Sequence, residues 1–385
     1  MQSDDLYKKT MISSELKSVV YGPAYLDIVV RVDSPLIPDR SRVIDHGSNG
    51  KFEPPYSMSA NQIIEMTDCF NQKLKIRGVH HNSICGHYKL NDASIQLINH
   101  EMNAVKIEED IGGMGAGYAN LLHAKLVSCL PERNCAIKNR IASLIQGNAI
   151  THQPLFIPRA ETDWTLLVSS GRHGDKLPIG LRGCHDQFTS VSAIPLGPAE
   201  DLVVIASLRN ELMLELLKLH QGAIRMLSPA LRNCYPTSNV ITIADMAPHA
   251  EILAVNRLEW LAMGESARHS WESSDAIISV TDGPDGAHVS WQALGGQREY
   301  HYEPAFSRCI APVDTNRAGE AFSGTLLLEL VRMGWSGRGH SPSREMIEKA
   351  TKTASASAGL TIQIPGFGFP VWEEILKTLQ LGIIS

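Results

Sequence analysis

The second half of the chain alternates between short apolar runs and longer amphipathic segments. From residue 201 onward, runs rich in β-branched residues, such as DLVVIASL and DAIISVTDG, predict buried strands. Between such runs, NELMLELLKLHQGA and RLEWLAMG have the apolar spacing of helices. This alternation predicts a doubly wound α/β fold, in which a mostly parallel sheet is covered by helices on both faces. Sheets of this kind bind ligands at the carboxyl ends of their strands.

Other segments carry local signals of their own. Near the start, SVVYGPAYLDIVVRVD predicts a strand, a Gly-Pro turn and a second strand. We expect further strands at TDWTLLVSS (162–170), QFTSVSAIPL (187–196) and NVITIADM (239–246), and helices near 60–70 (ANQIIEMTDCF), after Thr315 and at REMIEKATKTASASAGL (344–360). The rest of 34–110 is rich in Pro, Asn, His and Gly, which favours short strands and loops.

The composition excludes several classes of function. The net charge is −6 and no long basic run occurs, so binding to nucleic acid by charge alone is not expected. The seven cysteines are irregularly spaced without a CxxC pair, which argues against a disulfide framework and favours a reducing cytosol. The first 17 residues are a polar leader rather than a signal peptide, and no apolar run approaches the ~20 residues of a membrane helix. We therefore expect a cytoplasmic protein with no membrane partner.

The segment DTNRAGEAF immediately precedes an apolar run of helical character. The start of a helix presents unpaired N–H groups and the positive end of a dipole, which suits an anion. The small residues Ala318 and Gly319 let the backbone approach a phosphate, and Glu320 can accept a proton from an attacking hydroxyl. Alternatively, Glu320 only stabilises the first helical turn, and the local sequence alone favours this interpretation.

The segment VNRLEWLAMG spaces an amide and a carboxylate three residues apart. Asn256 and Glu259 therefore share one face of a helix, where they can orient waters around Mg²⁺. Alone, the pattern more often marks an exposed helix with a polar pair.

Two glycine-containing segments are further candidates for ligand contact. In VTDGPDGAHV, a strand ends at Thr281, and Gly283 and Gly286 form a turn that can pass close to a nucleotide, although an ordinary hairpin turn is the simpler interpretation. Asp27 at a strand end, together with the glycines of GGMGAG (112–117), can bind hydroxyls of a polar substrate. For these glycines, a tight turn before a helix is the alternative.

In this order the motifs resemble those of the PfkB-type carbohydrate kinases of the ribokinase-like superfamily. The resemblance rests on GPAYLDIVVRVD, GGMGAGYAN, VNRLEWLAMG, VTDGPDGA, DTNRAGEAFSG and KTASASAGLTIQIPG. It covers nearly the whole chain except the leader and much of 40–108. The combination of N-x-x-E with D-T-x-x-A-G-x-A-F is its most specific part.

The resemblance implies a fold and an activity. Members fold as a doubly wound α/β domain with a small β-sheet lid, and they transfer the γ-phosphate of ATP to a hydroxymethyl group of a sugar or nucleoside. By resemblance, the kinase domain would span 18–385 after the leader 1–17, with the lid and an insert contributed by about 28–110 and 160–190. Lids of this kind often pair between subunits, so a homodimer through the lid is expected.

The resemblance also implies roles for individual residues. Asp27 would bind substrate hydroxyls, and Gly112, Gly113 and Asp314 would belong to the same pocket. Asn256 and Glu259 would organise Mg²⁺. Thr281, Gly283 and Gly286 would lie near the nucleotide, with the Ala354–Gly359 helix, including Ala354 and Ala358, close to the adenine. Arg317, Ala318 and Gly319 would form the anion site, with Glu320 where the family has its catalytic aspartate.

Two substitutions depart from the family motif D-T-x-G-A-G-D, which is D-T-N-R-A-G-E in this chain. Glu320 keeps the carboxylate but moves its oxygens by roughly 1 Å, a shift that can lower a rate on the order of 10²-fold. Arg317 replaces a glycine and costs about 1 kcal/mol if its φ must be positive, but its side chain can pair with a phosphate. These changes leave two hypotheses: an ATP- and Mg²⁺-dependent sugar or nucleoside kinase with Glu320 as general base, or an impaired relative that binds a sugar, a nucleoside or a partner.

Two further features of the sequence concern ligand residues. Gly117 stands near the position of a substrate-binding asparagine in the family, and Asn120 is a candidate replacement. In GVHHNSICGHYKL, the residues His80, His81, Cys85 and His87 can bind a metal, but their spacing fits no standard site and favours a surface loop.

Overall fold

The computed structural model describes residues 16–32, 63–67, 73–77, 104–170, 175–194, 199–235, 241–306 and 312–380. The proposed metal ligands among residues 80–87 and most of the 40–108 insert lie outside these residues.

Fifteen strands and ten α-helices occur in this part of the chain. The strands are β1 (Ser18–Tyr21), β2 (Tyr25–Val32), β3 (Ile63–Thr67), β4 (Lys73–Arg77), β5 (Ala104–Gly112), β6 (Lys125–Pro131), β7 (His152–Ile157), β8 (Trp164–Ser170), β9 (Asp175–Leu181), β10 (Leu202–Ala206), β11 (Ile224–Ser228), β12 (Ile252–Asn256), β13 (Ile277–Thr281), β14 (Ala287–Gln292) and β15 (Arg298–Glu303). The helices are α1 (Met114–Leu121), α2 (Ala136–Gly147), α3 (Cys184–Gln187), α4 (Asn210–Leu219), α5 (Leu231–Cys234), α6 (Arg257–Ala262), α7 (Gly264–Glu272), α8 (Ala318–Arg332), α9 (Arg344–Thr361) and α10 (Trp372–Gln380).

The main sheet has nine strands within the described ranges, in the order β15-β14-β13-β12-β11-β10-β1-β6-β7. Every pair from β7 to β13 is parallel, whereas β14 and β15 are added in antiparallel fashion. The expectation of a doubly wound, mostly parallel sheet is therefore confirmed. In chain order, β6 and β7 are added on one side of β1, and the strands from β10 onward are added on the other side. The topological switch point therefore lies between β1 and β10, and doubly wound folds bind ligands at such a point.

Both faces of the main sheet are covered by apolar side chains. Along β1, Val20 belongs to one hydrophobic cluster, whereas Val19 and Tyr21 belong to a second. Successive side chains of a strand point to opposite faces, so the two clusters lie on opposite sides of the sheet. Helices α1, α8 and α9 pack on the first face, and α4 and α7 pack on the second.

A second sheet of four strands has the order β5-β2-β8-β9. It continues directly from the main sheet, because only Gly22–Ala24 separates β1 from β2. Gly115 at the start of α1 lies against the backbone of Gly22, and a side chain on either glycine would overlap the other residue. The close approach of these glycines fixes the end of β2 next to the start of α1.

Two predicted strands are wrong. The stretch 187–196 instead contains the end of α3 and a 3₁₀ turn at Val191–Ala193. Strand β8 pairs instead with β9, which was not predicted. Pro178 and Gly180 are typical of turns, but proline is tolerated in β9 because it is an edge strand. The stretch 239–246 contains a 3₁₀ turn at Ile243–Met246, and Thr242 caps this turn with Asp245. Strand β11 precedes it and was not predicted.

The helix expected near 60–70 is also wrong. Residues Ile63–Thr67 form β3, which pairs with β4 in antiparallel register. Ile64 is the register partner of Ile76, and isoleucine, as a β-branched residue, is enriched in strands. In the part of the chain that the structure describes, no helix combines the length and apolar character needed to cross a bilayer.

Candidate active site

A cavity of about 160 Å³ lies between the second sheet and the start of α8. Its acidic lining comprises Asp27 from β2, Glu108, Glu109 and Asp110 from β5, and Asp314 from the loop before α8. Arg317 and Phe367 also line it. We call this the acidic cavity.

Asp27 lies beside the glycine pair, as predicted from the sequence. Its carboxylate occupies the space that a side chain on Gly112 would need, so glycine makes room for it. Gly113 has a φ of 100°, and a side chain there would overlap the carbonyl of Pro23. The Oδ1 atom of Asp27 is buried without a hydrogen-bond partner. Burial raises the pKa of Asp27 to about 7, although the nearby Arg182 acts in the opposite direction.

Two further aspartates fix the walls of the acidic cavity. The Oδ1 atom of Asp314 accepts a hydrogen bond from the backbone N–H of Asn316 at 2.9 Å, and the backbone N–H of Asp314 donates to the carbonyl of Ile362. Asp110 lies opposite Asp27 in the pairing of β2 with β5, and its Oδ1 atom accepts from the N–H of Ile111 at 2.8 Å. Sequence reasoning missed Asp110, although the acidic run EED, separated from the paired glycines only by Ile111, is a detectable signal.

Arg317 has a left-handed backbone conformation, with φ 66° and ψ 0°. Its Nη2 atom donates a hydrogen bond to the carbonyl of Gly366. The nearest carboxylate oxygens are farther away, with Nη1 at 3.9 Å from Asp110 and Nη2 at 3.7 Å from Asp314. The guanidinium also lies 5.5 Å from the ring centre of Phe367. The side chain is therefore directed at the acidic cavity, and its Nε atom is buried without a partner.

The first turn of α8 leaves space for a ligand. Gly319 is exposed, and a side chain placed on it would meet no atom within 4 Å. Glu320 follows in the same turn and is not among the residues that line the acidic cavity. It lies instead beside Gly117 of α1, where an added Cβ would be 3.4 Å from the Cγ atom of Glu320. A side chain at position 117 would therefore be in ordinary van der Waals contact with Glu320.

Asn256 and Glu259 bind each other across the start of α6. The N–H of Glu259 donates to Oδ1 of Asn256 at 2.9 Å, and the N–H of Asn256 donates to Oε2 of Glu259 at 2.8 Å. This is a capping box. Burial raises the pKa of Glu259 to about 8, the hydrogen bond from the Asn256 backbone opposes the rise, and the nearby Glu320 adds to it. Glu259 and Glu320 are thus two interacting carboxyl groups near the end of β12. A divalent cation would reduce the repulsion between them, since Mg²⁺ binds one or two carboxylates together with substrate phosphates.

The turn after β13 lies next to this pair, because Thr281 is the register partner of Asn256. Gly283 has a φ of 57° and open space around the position of its missing side chain. Gly286 has a φ of 90°, and a side chain there would overlap the carbonyl of Glu303. This turn therefore requires glycine at both positions and leaves one side open.

The other candidate ligand residues differ in access. Ala354 in α9 is 0% exposed and belongs to the hydrophobic core, whereas Ala358 is only partly buried. Of these two alanines, only Ala358 offers surface to a ligand. Asn120 donates a hydrogen bond to the carbonyl of Asn148 at 3.0 Å and does not line the acidic cavity. The geometry therefore does not support Asn120 as a replacement for a substrate-binding asparagine.

A family model described as pfkB family carbohydrate kinase matches residues 104–374. The chain belongs to the pfkB family of carbohydrate kinases. The match includes the glycine pair, the Asn256–Glu259 pair and the whole of α8 and α9. A comparison with curated proteins finds no match.

Solved kinase structures share the fold of this pfkB protein. The ribokinase from Giardia lamblia is 15% identical, with a TM-score of 0.63 over 95% of this chain and 100% of the other. The nucleoside kinase from Burkholderia thailandensis, solved with inosine, is 14% identical, with a TM-score of 0.60 over 94% and 98%. The ribokinase from Cryptococcus neoformans var. grubii, solved with ADP, is 13% identical, with a TM-score of 0.53 over 94% and 100%.

Proposed function

We propose that this pfkB kinase transfers the γ-phosphoryl group of ATP to a hydroxyl of a small sugar or nucleoside, in a Mg²⁺-dependent reaction. The observation that carries the proposal is the arrangement around the start of α8. A cavity with a buried aspartate lies on one side, the open first turn lies in the middle, and the interacting pair Glu259 and Glu320 lies on the other side. The similarity to kinases solved with ADP and with inosine supports both ligand classes.

In this proposal the second sheet is the lid, and Asp27 orients the acceptor by accepting a hydrogen bond from one of its hydroxyls. The backbone N–H groups at Ala318 and Gly319 hold the oxygens of the transferred phosphoryl group at the positive end of α8. Glu320 accepts the proton that leaves the attacking hydroxyl as the new O–P bond forms and the bond to ADP breaks. Most of the rate enhancement then comes from positioning and charge neutralisation.

Glu259 would hold Mg²⁺, with Asn256 fixing the orientation of its carboxylate. When bound, the cation neutralises charge on the phosphates. Thr281, Gly283, Gly286 and Ala358 would line the nucleotide. Glu320 in place of aspartate keeps a carboxylate that can accept the proton, and it lies beside Gly117 of α1.

The test is Mg²⁺-dependent release of ADP from ATP with a panel of pentoses, hexoses and nucleosides, together with detection of the phosphorylated acceptor. We expect at least one acceptor to be phosphorylated. If no acceptor gives Mg²⁺-dependent turnover, the proposal fails.

A second candidate function is a catalytically impaired protein that binds a sugar, a nucleoside or a partner. It is favoured by the position of Glu320 outside the lining of the acidic cavity and by the side chain of Arg317 within that lining. Calorimetry separates the two functions. Binding without phosphoryl transfer, which the double substitution Glu320→Asp with Arg317→Gly does not restore, would support the second function; a strong gain in activity would identify an impaired kinase. A homodimer through the lid and a cytoplasmic location remain parts of the proposal.

A further inference from the structure

The acidic cavity contains polar groups that the protein itself does not satisfy. Among the described residues, Oδ1 of Asp27 and Nε of Arg317 are buried side-chain atoms without a hydrogen-bond partner, and both residues line this cavity. The Arg317 side chain is only 10% exposed, so bulk water does not readily compensate for the loss. A buried donor or acceptor without a partner is unfavourable because the loss of its hydration is not compensated, which favours a further group at this place.

The gaps around the guanidinium are of the size that an intervening polar atom would bridge. The guanidinium has five N–H groups. One of them donates a hydrogen bond, to the carbonyl of Gly366. The distances of 3.7 Å to Asp314 and 3.9 Å to Asp110 are too long for direct hydrogen bonds. A hydroxyl group or a water molecule can bridge a polar pair at such a distance.

We propose that Arg317 is an acceptor-binding residue and that, together with Asp27, Asp110 and Asp314, it binds hydroxyl groups of a neutral polyol. This inference rests on the proposed function for the identity of the cavity as the acceptor site. It assigns the arginine in the altered family motif to recognition of the acceptor rather than of the nucleotide.

A hydroxyl is the group that best matches these surroundings. It can accept a hydrogen bond from the guanidinium and donate one to a carboxylate at the same time. A carboxylate on the ligand would be repelled by the acidic residues that line the cavity, among them Asp27, Asp110 and Asp314. An ammonium group would meet the guanidinium without being able to accept from it. The cavity therefore selects against both kinds of charged acceptor.

The guanidinium of Arg317 lies apart from the residues that are proposed to contact the nucleotide. Its contacts come from β5, the loop before α8 and the loop at 366–367. Within the described residues, the contacts of Arg317 involve neither the turn at 281–286 nor α6. An arginine that served the phosphates would be expected to face the open first turn of α8.

The test compares Arg317→Gln with Arg140→Gln by calorimetry. Arg140 pairs with Glu109 at 2.6 Å but does not line the acidic cavity, so its replacement removes the same charge near the same strand.

The titrants are D-ribose, D-fructose, inosine and, separately, MgADP. We expect at least one of the three polyols to bind the wild type. Arg317→Gln should weaken that binding by about 10- to 100-fold, the effect of losing a hydrogen bond to a charged group, while MgADP binding changes by less than about 3-fold.

Arg317→Lys provides a second variant if the glutamine variant does not fold, and it should lose affinity to an intermediate extent because lysine cannot reproduce the planar guanidinium. Weaker MgADP binding with unchanged polyol binding would overturn the inference, as would unchanged binding of both or an equal loss in Arg140→Gln. It would also be overturned if none of the three polyols bound the wild type. Because these are binding measurements, a chain that binds a polyol through Arg317 but releases no ADP would contradict only the proposed function.

Discussion

The two sides of the α8 start differ in how their polar groups are satisfied. On the side of β12 and β13, Asn256 and Glu259 bind each other, and Arg257 pairs with Asp282 at 2.6 Å. On the side of the second sheet, Asp27 and Arg317 each keep a buried atom without a partner. We infer that the first side is already arranged for the phosphates and the metal, which take part in the reaction with every acceptor. The polar groups of the second side gain their partners only when the acceptor binds.

Among the variants that compare the two sides, Glu259→Gln should have the largest effect, and it tests the preformed side. Glutamine is accepted at this position of a capping box, so α6 should remain intact while the carboxylate is lost. We expect kcat to fall by at least about 10-fold, with a higher Mg²⁺ requirement, as for other changes at metal sites. Rates should be measured over a Mg²⁺ titration, with circular dichroism as the control for folding. An unchanged Mg²⁺ dependence would mean that Glu259 only caps the helix.

A smaller effect should come from the contact between Gly117 and Glu320. Gly117→Ala places a Cβ about 3.4 Å from the Cγ atom of Glu320, an ordinary van der Waals contact that should restrict the rotamers of the Glu320 side chain. Glu320→Asp removes that methylene, so its cost should be smaller in the alanine background. A double-mutant cycle on kcat/KM is expected to show a coupling of about 0.5–3 kcal/mol.

Gly147→Ala is the matched control for this cycle, because it lies at the end of α2 with no atom within 4 Å of the added Cβ. It should show no coupling to Glu320→Asp. Additive effects of Gly117→Ala and Glu320→Asp would mean that the contact between position 117 and Glu320 does not affect catalysis.

The smallest effect concerns stability at the acceptor side. The pKa of Asp27 is raised to about 7 in the folded protein, from an ordinary value near 3.8. The folded state therefore holds this proton more tightly than the unfolded state, and the stability it contributes is lost as the pH rises through about 7. The Tm of Asp27→Asn should fall less between pH 5 and pH 8 than that of the wild type. Asp275→Asn, at a partly exposed carboxylate, serves as the control; equal slopes in all three proteins would contradict the assignment.

The sequence predicted those parts of the molecule that depend on local patterns. Long apolar runs such as β10, and helices such as α4 and α9, follow from periodicity, and the chain order of Asn256, Glu259 and Glu320 follows from the family motif. Strand β9 was missed because Pro178 and Gly180 are common in turns, and only its place at a sheet edge makes them compatible with a strand.

The contents of the acidic cavity could not be predicted in the same way. Asp110, Arg317 and Gly366 are distant in sequence, and only the pairing of β2 with β5 and the packing of the loop after α9 bring them together. The sequence left open whether residue 317 needs a positive φ, and in the structure Arg317 has one. The direction of its side chain, however, depends on tertiary contacts that no local pattern contains.

The most direct test of the account compares phosphoryl transfer from MgATP by the wild type and by Glu320→Gln, using the best acceptor of the panel. Glutamine keeps the size of the side chain but cannot accept the proton of the attacking hydroxyl. The account predicts that kcat falls by about 10²- to 10⁴-fold while the Kd of the acceptor, measured by calorimetry, stays within a few-fold. Equal rates for the two proteins would contradict the central claim that Glu320 is the general base at the start of α8.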